Sequence, residues 1–466
     1  MNTKKYDLTE GNILRRLLLV AAPLMGTQVL QMAYNLTDLI WLGRVHTDAV
    51  ASVGTAGMYM WLSMAFLMTG RMGAEIGVSQ FMGRSDLQGA KSFSQNALFL
   101  ALVSGVTYAL FVGLLRHPLI GVFAIREAHV AQGAADYLGI VALGMPAMFI
   151  SGAISGTFNG VGNSRIPFLV NGFGIVLNMI LTPIFIFTLD FGLHGAAWST
   201  VISQMTVVIL AILCIRFFRI RPFDNFTFFV RPNLQRIKQI FRWTIPISIE
   251  SGAFTLLSMV VGRFVAAFGA NALAVQRIGI QIESISWMLA MGFASALTAF
   301  VGQNYGRGCW SRIHRGARLS LFIMGIWGIV TMVIPLLFGR QLFALFIPGE
   351  PGAVLEEGVR FLRILAVCQI FICLEFWAVG IFRGLGRTIP PTISTIIGNS
   401  IRVPLAYFLS LTPLGVAGLW WGISLGAVIR GIILVSWYFI ASRRLPQEDV
   451  IPAGDVDASL TGAASS

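Results

Sequence analysis

The sequence predicts an all-α protein of the membrane, with about twelve membrane-spanning helices in two parallel six-helix bundles related by a pseudo-two-fold axis along the membrane normal. Three observations predict this fold. Hydrophobic residues make up 56% of the 466 residues and charged residues only 11%, whereas a soluble domain carries about 25% charge. The apolar residues fall into long runs, each able to cross a bilayer, which takes about 20 residues. The two halves of the chain also repeat each other.

The apolar runs predict the spans in order along the chain. Their bounds are 17–42, 50–80, 93–115, 132–158, 167–189, 193–217, 240–268, 277–303, 318–345, 354–382, 389–411 and 415–441. Of the 33 Lys and Arg residues, 22 fall on the side that holds the termini and eight on the other. By the positive-inside rule, both termini are cytoplasmic. The net charge of +13 is therefore a topology signal, and we expect no nucleic-acid partner.

The two halves are related by one long shift along the chain. A shift of 223 residues superposes the following pairs: Pro23 and Pro246, Gln80 and Gln303, Gly83 and Gly306, Arg84 and Arg307, and Gly195 and Gly418. With one extra residue, FNGVGNSRIP at 158–167 superposes on FRGLGRTIPP at 382–391. The repeat predicts an N-terminal lobe (1–218), a cytoplasmic linker (219–242), a C-terminal lobe (243–444) and a disordered cytoplasmic tail (445–466). We expect the last part of the linker, Leu234 to Trp243, to be a helix on the inner membrane surface.

The first span carries one acid within a stripe of polar residues. Gln31, Asn35 and Asp38 lie close to one helical face, and a carboxylate at membrane depth costs roughly 2.5–3.5 kcal/mol on insertion scales. Intramembrane acids usually serve a function, so Asp38 is a candidate cation or proton site and Gln31 and Asn35 are candidate cavity-lining residues. The alternative is an acid near a helix end that reaches interfacial water.

The second half carries ions inside its spans. Glu250, Glu375, Arg402 and Arg430 lie at similar predicted depth, and we expect ion pairs between Glu250 and Arg402 or between Glu375 and Arg430. Such a cluster would serve as a static brace between helices or as a coupling-ion site. The cysteines and histidines show no metal-ligand spacing, so we expect no metal and no cofactor besides a coupling ion.

Several motifs together carry a resemblance to a known family. They are NLTDLIWLGRVHTDAVASVG around Asp38, SQFMGR and GQNYGR at the ends of spans two and eight, the paired FNGVGNSRIP and FRGLGRTIPP turns, and VNGFGIVLNMILTPIFIF followed by GLHGAAWST in spans five and six. Nearly all of the chain resembles the multidrug and toxic compound extrusion (MATE) family, and it looks nearest to the branch related to DNA-damage-inducible protein F.

The resemblance implies a proton site in the first half. In that branch a first-helix acid binds the proton together with an Asn on span five and a Thr on span six, which correspond here to Asp38, Asn178 and Thr200. The branch usually has a second Asp one turn after that Asn, where this sequence has Thr182. The norfloxacin-pump branch has second-half acids about one turn from Glu250 and Glu375, so that site is not carried over.

The expected function is secondary antiport of amphipathic or cationic drugs in exchange for H⁺ or Na⁺, by alternating access in the inner or plasma membrane. The expected partners are small-molecule substrates and the lipid bilayer, and a monomer is expected. The alternative within transport is a flippase for a lipid-linked precursor, which Arg402 and Arg430 would suit. A membrane-embedded hydrolase or transferase would need a nucleophile paired with a base inside the spans, and the sequence places none there.

Overall fold

A computed structural model describes residues 6–45, 47–123, 125, 127–218, 223, 226–228, 230–346 and 352–449. At residues 38–40, 42–45, 47, 50, 218, 270 and 353 only the backbone is described. Within these residues the regular structure is entirely helical, and the chain forms two compact units. The first comprises Met1–Gly11 and Arg16–Ser248, and the second comprises Asn12–Arg15 and Ile249–Ser466. The predicted lobe bounds at 218 and 243 stay a prediction.

Within the described residues, seven helices precede the junction between the halves. They are α1 (Ile13–Val45), α2 (Thr47–Gly83), α3 (Leu87–Leu114), α4 (Arg116–Gly121), α5 (Ala128–Val161), α6 (Arg165–Pro183) and α7 (Gly192–Phe218). A π-helical turn, Ile184–Thr188, extends α6. The short α4 was not predicted. The core of this unit forms around α5, whose Phe149 and Ala153 are fully buried.

Seven further helices follow in the part of the chain that the structure describes. They are α8 (Leu234–Ala266), α9 (Ala270–Arg307), α10 (Trp310–Ala344), α11 (Gly352–Ala366), α12 (Gln369–Gly384), α13 (Ile389–Ser410) and α14 (Val416–Ser442). The core of the second unit includes Phe361 and Trp420, whose rings meet edge to face at 5.1 Å and are fully buried.

The helices confirm a multi-pass membrane protein. Among the described residues, ten helices are long and apolar enough to span a bilayer, and eleven do so if α11 and α12 count as one. The remaining predicted span corresponds to α13, whose hydroxyl, amide and guanidinium side chains lower its mean hydropathy.

The tenth predicted span is broken rather than continuous. The span predicted over 354–382 is built from two helices, because α11 ends at Ala366 and α12 begins at Gln369 with a bend of 44°. The carbonyl of Leu365 is satisfied there by other donors: the backbone N–H of Cys368 at 3.2 Å and the Gln369 side-chain amide at 3.3 Å. These bonds satisfy the Leu365 carbonyl where the helix ends inside an apolar span.

Two segments next to the predicted lobes have defined contacts. Leu234 to Trp243 is helical and forms the first turns of α8, with Ile240 buried against α2. In the first residues of the predicted tail, the Asp449 carboxylate accepts hydrogen bonds of 2.9 Å from the backbone N–H and the hydroxyl of Ser311. An acid in this position stabilises the N-terminus of α10.

Candidate ion-binding sites

A buried hydrogen-bond network joins α6 to α7 in the first unit. The Thr182 hydroxyl donates to Asn178 Oδ1 at 3.1 Å and lies 2.8 Å from the Ser199 hydroxyl. The Asn178 amide donates to Thr200 Oγ1 at a longer 3.4 Å. All four side chains are at most 6% exposed. The structure thus brings together the three α6–α7 residues selected from the sequence.

Small residues let α6 and α7 approach closely enough for this network. A Cβ at Gly195 would lie 2.7 Å from the backbone carbonyl carbon of Phe185, inside the π-helical turn. Pro183 immediately precedes that turn, and without an N–H it cannot donate to a carbonyl of the preceding turn of α6. Such turns inside helices are frequently found at functional sites.

Ser199 belongs to the network but was missed by sequence reasoning. Its hydroxyl is fully buried and also donates to the Ala196 carbonyl at 2.9 Å, and Thr200 donates to the same carbonyl at 3.0 Å. A hydroxyl directly beside Thr200 in α7 was the available signal. It had too little weight, because Ser often bonds its own helix and nothing else.

The polar stripe of α1 is present as far as the structure describes it. Gln31 donates to Asn35 at 3.2 Å, and Asn35 is exposed. Asp38 lies in α1, but its side chain is outside the described part of the chain. Its role and the cavity role of Gln31 and Asn35 stay predictions.

Among the ion pairs of the second unit, one is largely buried and another is partly buried. Arg430 Nη2 and Glu375 Oε2 are 3.3 Å apart, which is one of the two predicted pairs. Arg430 also donates to Asn399 Oδ1 at 3.1 Å. Glu250 instead pairs with Arg383 at 3.4 Å, so the predicted Glu250–Arg402 pair is wrong. Arg383 lies in the last turn of α12 with its side chain 17% exposed.

The two remaining charges of this cluster have no partner of opposite sign within 4 Å among the described residues. Arg402 donates to the Ser258 hydroxyl at 2.8 Å. Glu283 accepts from the Gln369 amide at 3.0 Å. Glu283 was missed, although an acid within the span 277–303 was visible in the sequence. With it the cluster holds three acids and three arginines, so its formal charge is zero.

The internal repeat places different chemistry at equivalent positions. A shift of 224 residues relates Asn178 to Arg402 and Thr182 to Ala406, and a shift of 223 relates Ser199 to Gly422. The glycine contacts agree with these shifts. A Cβ at Gly174 would meet Val207, and a Cβ at the equivalent Gly398 would meet Arg430, which is the repeat equivalent of Val207. The crossing of α6 and α7 is neutral and rich in oxygen atoms, whereas the crossing of α13 and α14 is lined by arginine.

The chemistry of the α6–α7 network favours a small cation or proton over a divalent metal. It supplies hydroxyl and amide oxygens and no carboxylate of its own, and Mg²⁺ and Ca²⁺ sites normally use one or more carboxylates. Within the described ranges, no group of three or more His, Cys, Asp or Glu residues has metal-binding geometry.

Curated relatives match more than nine tenths of the chain. It is 28% identical to the probable multidrug resistance protein NorM of Thermotoga maritima, over 91% of this chain and 92% of the relative. It is 27% identical to the multidrug resistance protein PmpM of Pseudomonas aeruginosa, over 98% of this chain and 99% of the relative.

A solved structure and a family model also match this chain. The fold matches the outward-facing conformation of a multidrug resistance MATE family transporter of the MOP superfamily, with a TM-score of 0.89 and 23% identity over 95% of this chain and 99% of that chain. The MatE family model matches residues 23–184 and 246–408. The starts of these two stretches differ by 223 residues, which is the shift found in the sequence. The chain therefore belongs to the MatE family, as its sequence resemblance predicted.

Proposed function

We propose that this protein is a secondary antiporter that exports amphipathic, often cationic organic compounds in exchange for H⁺ or Na⁺. Family membership and the names of the multidrug resistance relatives support drug export as the activity. A transporter family also argues against the membrane-embedded enzyme considered from the sequence. Transport proceeds by alternating access of a cavity partly lined by Gln31 and Asn35. The protein acts as a monomer in the bacterial inner or plasma membrane, with both termini in the cytoplasm.

The observation that carries the coupling role is the buried network of Asn178, Thr182, Ser199 and Thr200. Burying hydroxyl and amide groups in a membrane protein costs free energy unless these groups form hydrogen bonds or bind a ligand. In this proposal Asp38 supplies the single carboxylate that takes up the ion, and Asn178, Thr182 and Thr200 hydrogen-bond or ligate it. Ser199 holds Thr182 in place.

Efflux from proteoliposomes with separately imposed H⁺ and Na⁺ gradients tests the proposal. Purified protein should move ethidium against its gradient when one of the two ion gradients is imposed, and the effective gradient identifies the coupling ion. Ethidium movement that neither gradient stimulates would contradict antiport. Scrambling of a fluorescent lipid-linked pyrophosphate without ethidium transport would assign the flippase alternative.

Thr182→Asp should move the pH dependence of transport to higher pH. The residue lies one turn from Asn178 within the network, so an added carboxylate would share the ion site. Two close carboxylates hold one proton to higher pH than one alone, because both cannot ionise easily. The measurement is initial efflux rate against pH for wild type, Thr182→Asp and Thr182→Ala.

Thr182→Ala serves as the control, because it removes the hydroxyl without adding a charge and should shift the midpoint less than Thr182→Asp does. An unshifted midpoint for a well-expressed Thr182→Asp protein would place residue 182 outside the ion site.

A further inference from the structure

We propose that Arg402, together with Arg430 and the ring of Phe254, forms a subsite for the carboxylate of an aromatic amphiphile. The inference deepens the proposed function, on which it rests, because the ligand would be one of the exported compounds. It gives the second unit a recognition role in addition to bracing its helices.

Arg402 is a buried cation whose surroundings leave it incompletely satisfied. The residue is 8% exposed and makes one hydrogen bond, to Ser258. Its Nε has no hydrogen-bond partner, and no carboxylate among the described residues lies within 4 Å of its guanidinium. Burying a charge without a partner is strongly unfavourable. An anion supplied from outside the chain would satisfy it.

A second guanidinium, that of Arg430, contacts the same aromatic ring. The Cζ atoms of Arg402 and Arg430 are 5.7 and 6.0 Å from the centroid of the Phe254 ring. Arg430 is held by Glu375 and Asn399, yet its Nε also lacks a hydrogen-bond partner in the described part of the chain. Two close positive charges repel each other, so one anion near both would be favoured by each.

The geometry selects the chemistry of the ligand. Arginine presents a planar fork of N–H donors that matches a carboxylate better than a spherical ion. The Phe254 ring is 44% exposed and offers an aromatic face to the body of the ligand. The cluster holds as many acids as arginines, so it has no excess positive charge. A polyanion such as pyrophosphate would bring several negative charges close to Glu283 and Glu375, and the arginines would not balance them. One negative charge on an aromatic molecule fits best.

The experiment compares an acid with its uncharged ester. Dansyl-phenylalanine and dansyl-phenylalanine methyl ester are titrated by fluorescence into the purified protein in detergent. Wild type should bind the acid about tenfold or more tightly than the ester, as expected for a charge-assisted hydrogen bond. Arg402→Gln/Glu283→Gln removes one positive and one negative charge, so it keeps the balance of the cluster, and it should abolish the preference for the acid.

Controls keep the result interpretable. Arg340→Gln/Glu356→Gln removes an exposed ion pair of the same unit and should retain the preference. If the double variant in the cluster fails to fold, Arg402→Lys keeps the charge without the fork, and it should reduce the preference severalfold. Chloride should displace the acid only weakly.

Several outcomes would overturn the subsite. They are equal binding of acid and ester by wild type, an unchanged preference in a folded Arg402 variant, or displacement by millimolar chloride that marks an inorganic anion site. If the protein exports the ester under an ion gradient but shows no preference for the acid, the subsite is wrong and the proposed function is unaffected. If no compound is exported under an ion gradient, ethidium included, the proposed function is wrong.

Discussion

Asp38→Asn should abolish ion-driven efflux of ethidium and leave the protein folded. Asp38 is the only acid in α1, and an amide of the same size keeps the shape of the side chain but cannot take up or release a proton at neutral pH. The expected loss is therefore in coupling and not in folding. Efflux from proteoliposomes under the effective ion gradient measures coupling, and thermal unfolding in detergent measures folding.

Asp190→Asn is the matched control for that substitution. Asp190 is an exposed acid of the same unit with φ of 54°, a conformation that Asn adopts as readily as Asp. This variant should transport at the wild-type rate. Wild-type transport by a well-expressed Asp38→Asn protein would show that another group carries the coupling ion.

Arg430→Gln should destabilise the protein by about 3–5 kcal/mol, because it leaves Glu375 buried without its cation. Glu375 is 7% exposed and its carboxylate lies 3.3 Å from the guanidinium of Arg430. The stability is measured by unfolding in mixed micelles of dodecyl maltoside and SDS. The charge-reversed pair Glu375→Arg/Arg430→Glu should recover part of the loss.

An exposed ion pair gives the comparison for this effect. Arg340 and Glu356 are 2.7 Å apart, with side chains 66% and 62% exposed, so Arg340→Gln should cost less than about 1 kcal/mol. Equal effects of the two substitutions would mean that the buried pair contributes no more than a surface pair. The brace assigned to Glu375 and Arg430 would then be wrong.

The fold was predictable from the sequence because it depends on features that a single chain displays. Span length follows from runs of apolar residues, and the two halves follow from one shift along the chain. The break between α11 and α12 was not predictable in this way, because no Pro or Gly marks it. It depends on the Gln369 side chain, whose amide replaces a backbone donor.

The candidate sites were predictable only in part. Asn178, Thr182 and Thr200 come together because they lie on adjacent helices at spacings known from the family. The predicted partner of Glu250 was wrong because counting residues estimates the depth of a side chain in the membrane but not the rotation of its helix about the helix axis. That rotation directs Arg383 to Glu250 and Arg402 to Ser258.

The glycine contacts between α13 and α14 bear on how the second unit can move. A side chain at Gly422 would meet the backbone of Ala406, and one at Gly426 would lie 2.7 Å from Cβ of Arg402. Helices in contact at such positions leave no gap for one to slide past the other. These two helices should therefore travel as one piece during transport. Spin labels placed on α13 and α14 would keep a constant separation through the cycle, while labels on either side of the α11–α12 bend would be able to change theirs.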